Sequence, residues 1–75
     1  MPGEDSQEIR FMYGAVWYEV SAERVRETEV VKLPGGTKLK VEGWKSDAEF
    51  ASLLLLQTYW GSVAVARPIA EPVVS

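Results

Sequence analysis

The chain has 75 residues, 47% of them hydrophobic and eight of them aromatic, with neither cysteine nor histidine. That length suits one small domain close to the stability margin, and without cysteine no disulfide reinforces it. The formal charge of -3 misleads, because Glu4, Asp5 and Glu8 precede a stretch from Ile9 onward in which eight acidic residues balance eight basic ones. A near-neutral body argues against a general nucleic-acid binder, and the absence of histidine and cysteine excludes the usual triads and zinc sites.

Residues 1–8 are polar, contain Pro2 and Gly3, and read as a disordered acidic tail. They lack the basic and apolar regions of a secretory signal, and the Leu53 to Leu56 run is too short to span a bilayer, so the expected compartment is the cytoplasm. Ile9 to Val20, I-R-F-M-Y-G-A-V-W-Y-E-V, reads as the first strand. Its odd positions are apolar and its even positions nearly as apolar, so both faces require burial. Gly14 is the expected bulge or bend at which the strand exchanges faces.

Ser21 to Arg24 is expected to be a turn. Val25 to Leu33 and Thr37 to Trp44 then form a hairpin around Pro34, Gly35 and Gly36. A three-residue loop opposes Val31 with Leu39 and places Lys32 and Lys38 together on the other face, whereas a two-residue loop would oppose Val31 with Lys40.

Ser46 and Glu49 have the spacing of a capping box, and with Asp47 in the first turn they predict a helix that ends at Gly61. This helix would have no clean polar face. Its surplus apolar surface would be covered by a curled sheet, a second protomer or a target protein. Val63 to Ala66 follows as a short strand, with Pro68 stopping it or placing it at a sheet edge, and 71–75 form an extended tail. The expected fold is therefore α+β: one domain over 9–70, a small antiparallel sheet of about four strands with one helix, in the order β-β-β-α-β. The alternative is an all-β barrel in which Leu53 to Trp60 is a strand.

Catalytic motifs are lacking. The carboxylate pairs Glu27 with Glu29 and Asp47 with Glu49 have ordinary structural uses, and Gly35-Gly36 lacks the context of a phosphate loop. No enzyme activity, cofactor or metal is expected. Lys32, Lys38 and Lys40 share the polar face of the hairpin, with Lys45 just past its end. A solvated, edge-blunting face is one reading of them and a nucleic-acid contact the other, with Trp44 as its aromatic candidate. Tyr18, Trp17 and Trp60 are large rings of which some should stay exposed as interface anchors.

About thirty residues, Leu39 to Pro68, run as a hairpin strand, a capped helix ending in Tyr, and then G-S-V-A-V-A-R-P. This order resembles the small early proteins of lytic phages that bind and inhibit the host RNA polymerase. In that family a strand ending V-x-R-x-R-P presents arginines to an acidic polymerase surface. Arg67 matches the last arginine, and Val65 stands where the other would be. The resemblance implies a protein-binding inhibitor or regulator of a larger host protein with Arg67 as a contact, to which the aromatic reading adds a patch around Trp44 and Trp60, together with Tyr18. Alternatives are a nucleic-acid binder using the lysine hairpin and a structural subunit of a homo-oligomer, and a homodimer would consume the apolar surplus. The sequence itself names no partner molecule.

Overall fold

The computed structural model describes residues 7–46 and 49–71. The chain runs through β1 (Glu8–Tyr13), β2 (Val16–Ser21), α1 (Ala22–Thr28), β3 (Val30–Lys32), β4 (Lys38–Ser46), β5 (Glu49–Leu56), β6 (Ala64–Val65) and β7 (Arg67–Ile69). One sheet has the order β1-β2-β7 and the other β5-β4-β3-β6, with β6 parallel to β3 and the other pairs antiparallel. Among the described residues the fold thus combines two sheets and one short helix, in an order other than β-β-β-α-β, and the sheets do not close into a barrel.

The expected first strand is a hairpin. Gly14 and Ala15 both have positive φ, 61° and 67°, and form the two-residue turn whose twist matches paired strands. The register pairs Ile9 with Val20 and Phe11 with Tyr18. Parity therefore flips at the turn, and odd residues of β1 join even residues of β2 on the core face. Two apolar faces in one stretch were the signature of a fold-back, not of a bulge. Ala15 carries a left-handed conformation at a cost that glycine avoids. Ala15→Gly is expected to stabilise the fold by about 0.5–1 kcal/mol, roughly 4 °C in Tm, as read by thermal denaturation.

Residues 22–28 form a helix where a turn and the start of a strand were expected. Ser21 caps it by accepting from the Arg24 amide at 3.3 Å, Glu23 occupies its first turn, and Glu29 ends it in the left-handed region at φ 60°. Ala22 and Val25, three residues apart, are buried on its inner side. Glu27 consequently lies on the helix, paired with Arg24 at 2.8 Å, and not on a strand beside Glu29.

The expected helix from Ser46 to Trp60 is replaced by β5. Its residues pair along β4, with Leu39 across from Leu55, Val41 from Leu53 and Trp44 from Phe50. A helix apolar on all sides needs cover on all sides, which a chain of this size does not provide. As a strand, the same residues gain a ladder and turn Phe50 and Leu53 toward the core. Ser46 now faces Glu49 across the hairpin end, and Asp47 lies outside the described residues. The strand alternative for Leu53 to Trp60 holds as far as Leu56.

The β3–β4 hairpin has the expected register, Val31 with Leu39 and Lys32 with Lys38, and Leu33 donates to the Thr37 carbonyl at 2.7 Å around Pro34-Gly35-Gly36. β3 is shorter than expected, beginning at Val30. The final strand divides at Ala66, which is buried and donates to the Lys32 carbonyl at 2.9 Å, so the chain passes from one sheet to the other there. Pro68 falls on β7, an edge strand, where its missing amide breaks no ladder bond.

The core lies between the sheets and under the helix. Ile9, Phe11 and Val20 come from the first sheet, Ala22 and Val25 from α1, and Val31, Leu39, Val41, Phe50 and Ala64 from the second. Of the expected acidic tail, residues 1–6 lie outside the described residues, while Gln7 accepts from the Ala22 amide and Glu8 opens β1. Of the expected extended tail, residues 72–75 lie outside them as well.

Candidate interaction surface

Alternation along β3 and β4 turns Val31 and Leu39 inward and Lys32, Lys38 and Lys40 outward. On this outer face Lys38 stands across from Lys32 on one side and Leu56 on the other, while Lys40 stands across from Leu54. Val65, paired with Lys32, is 71% exposed and continues the face. The lysines therefore lie on one face as expected, but in rows shared with leucine and valine. Lys40 is partly neutralised by Glu29 at 3.4 Å.

Trp60 belongs to the loop between β5 and β6 and is the most exposed large apolar residue among those described, at 89%. The Lys38 ammonium lies 5.3 Å from its ring centroid and donates to the Tyr59 carbonyl at 2.9 Å. Tyr59 in turn donates its hydroxyl to the Ser62 carbonyl at 3.1 Å. A Cβ on Gly61 would run into the hydroxyl end of the Tyr59 ring, so any other residue there would displace that ring. The exposed indole is thus held by a lysine from β4 and by a self-bonded loop. A cation over an aromatic face adds about 0.5–1 kcal/mol at an exposed site.

The other expected contact residues lie elsewhere. Trp44 is 38% exposed, meets Phe50 edge to face at 5.3 Å and has the Arg26 guanidinium 5.2 Å from its ring. It lies six positions along β4 from Lys38, about 20 Å along an extended strand, so Trp44 and Trp60 form no common patch. Lys45 lies at the Trp44 end of β4, 3.7 Å from Glu49, apart from the other three lysines. Tyr18 is half-buried and stacks on Phe11 at 5.7 Å, on the core side of β2. Trp17 lies on the opposite face, and its buried Nε1 has no hydrogen-bond partner.

Arg67 has a partner within the chain. Arg10, Glu19 and Arg67 stand directly across from one another on β1, β2 and β7, so one carboxylate is shared by two guanidinium groups. The Glu19 side chain is 7% exposed; Arg67 bonds it through both Nε (2.9 Å) and Nη2, and Arg10 lies 3.2 Å away. The outer part of Arg67 still faces solvent. This triad was legible only through the strand register, which the single-strand reading of Ile9 to Val20 concealed.

A groove of about 280 Å³ opens where β1 approaches β5, between Arg10, Met12 and Trp17 on one side and Phe50 to Leu53 on the other. Among the described residues no cluster of three metal-ligating side chains occurs, and no helix is long and apolar enough to cross a membrane. No family model, curated protein or solved structure matches the chain.

Proposed function

We propose that the chain is a non-enzymatic protein-binding module that inhibits or regulates a larger protein, with Trp60 as its anchor. The observation that carries this reading is an indole 89% exposed yet held in place by Lys38 and the Tyr59 loop. A pre-positioned aromatic loses little freedom on binding, and centrally placed tryptophans dominate many interfaces. Lys38 at the ring, with Lys32 and Lys40 on the same face of the sheet, favours an acidic partner surface with an apolar slot for the ring. The resemblance carried by G-S-V-A-V-A-R-P makes bacterial RNA polymerase the first such partner to try. In that complex the exposed part of Arg67 would contribute from the first sheet.

The test is titration of purified bacterial RNA polymerase with the chain, read by calorimetry. Binding is expected, and Trp60→Ala should weaken it about 30-fold, the equivalent of about 2 kcal/mol. Absence of a complex removes polymerase as the partner, and an unchanged affinity in the variant removes Trp60 as the anchor.

A second reading is favoured by the same placement, because an exposed aromatic among lysines is what single-stranded nucleic acid stacks upon. If Lys32, Lys38 and Lys40 each contacted a phosphate, the logarithm of the affinity for a single-stranded oligonucleotide would fall with log salt at a slope of about −2. The protein-binding reading predicts no saturable binding at physiological salt, measurable by fluorescence polarisation.

A further inference from the structure

The β5 strand is a sheet edge of an unusual kind for this molecule. It pairs on one side with β4, and among the described residues the sheet order has no strand on the other, where β1 approaches Phe50 to Leu53 across the groove without pairing. The remaining edges are protected by composition or by length. β1 carries Glu8 and Arg10, β6 has two residues, and β7 has three that include Arg67 and Pro68. β5 has one charged residue, Glu49 at its start, and ends in four consecutive leucines without proline or lysine. The register irregularities of the β4–β5 ladder fall between Val41 and Ser46, so the Leu53 to Leu56 half is regular. A long, regular, uncharged edge is a template for another strand.

The core-side packing is also incomplete there. Leu39 is fully buried, yet Leu55, directly across from it on the same face, is 49% exposed, and Leu54 on the outer face is 51% exposed. Sheet and cover run out at the same strand.

We propose that two copies of the chain join through antiparallel pairing of their β5 edges, making one continuous eight-stranded sheet of two four-stranded ones. The occupant is a second copy because the edge is its own complement. A two-fold antiparallel pairing sets each residue across from one whose number differs by an even amount. Leu53 and Leu55 of one copy therefore meet Leu53 and Leu55 of the other on the core side, and Leu54 meets leucine on the outer side. The two Glu49 carboxylates fall at opposite ends of the junction, so no like charges oppose each other. A foreign strand would have to match an uncharged leucine run that the chain already supplies. Neither Trp60 nor the lysine face supplies the pairing groups, so the dimer presents two copies of that surface.

Light scattering across a concentration series, from low micromolar to near millimolar, tests this without any partner protein and so independently of the function proposed above. Twice the chain mass is expected at the upper end. Leu54→Lys should return the chain to a monomer, and Val65→Lys on β6 should leave the dimer intact. Amide exchange of the unmodified chain gives a second measurement should Leu54→Lys fold poorly: outward-pointing β5 amides should become at least tenfold slower at high concentration, and β1 amides should not. A chain that stays monomeric, a dimer that survives Leu54→Lys, or β5 amides indifferent to concentration each overturns the proposal.

Discussion

Replacing Arg10 and Arg67 together by methionine is expected to destabilise the fold by about 3 kcal/mol, measured by denaturant titration, because Glu19 would remain buried with no cation to share its charge. Either single replacement should cost much less, about 1 kcal/mol, since the other guanidinium stays within reach of the carboxylate and both arginines are half or more exposed. The two losses are therefore strongly non-additive, as they must be where two residues share one partner. Adding Glu19→Leu to the double variant should recover most of the deficit, because an apolar side chain has no charge to desolvate at that position. Failure of the third substitution to rescue would show that the arginines act by covering the sheet with their stems. Against a total stability of about 4–11 kcal/mol for a chain of this length, the double variant separates a structural from a contact role for Arg67.

Residues that carry local rules were legible in the sequence, and residues that depend on long-range pairing were not. The Pro34-Gly35-Gly36 loop set the β3–β4 register, and with it the common face of Lys32, Lys38 and Lys40, because loop length alone determines parity. Pro68 at a sheet edge follows from its missing amide. The Ser46 and Glu49 spacing failed because a capping box is a weak local signal, about 1 kcal/mol, set against a ladder along nearly the whole of β4. A helix apolar all round was already a contradiction, and the strand resolves it only in part, leaving Leu54 and Leu55 half exposed. Gly14 stands out in the sequence, but its neighbour is alanine, which hides a turn that normally advertises itself with Asn-Gly or Gly-Gly. The α1 helix was missed for the opposite reason. Its cap and helix-forming residues are good, but only Ala22 and Val25 face inward, so no long apolar period announces it.

Among candidate contact residues, exposure was harder to foresee than identity. Trp44 and Trp60 are both expected contact residues, and both flank the segment expected to be helical. With that segment extended, the two rings separate to opposite ends of β4, and only Trp60 remains largely free of the body. Lys38 lies in the middle of the rearrangement: the hairpin places it outward, and the end of β5 brings Tyr59 and Trp60 over it.

Phe50→Ala is expected to cost about 3–5 kcal/mol, because its ring links β5 of one sheet to β1 of the other. It is 9% exposed and meets Phe11 of β1 at 5.4 Å and Trp44 of β4 at 5.3 Å, both edge to face, while Phe11 continues to Tyr18 of β2. Truncation removes the apolar burial, leaves a cavity where β1 approaches β5, and deletes two aromatic pairs of about 0.5–1.5 kcal/mol each. Such a loss is a large share of the stability of a domain this small, so the variant's far-ultraviolet circular dichroism melt should fall by more than about ten degrees. Phe50→Leu keeps most of the volume but neither ring pair, and should retain a cooperative transition at lower Tm. If Phe50→Ala instead melts cooperatively within a few degrees of the parent, the two sheets are held together mainly at the Ala66 crossing and by Val20, Val25 and Ala64 around it. The loss should then transfer to Ala64→Asp, which would place a charge in the fully buried position that β6 packs against β3.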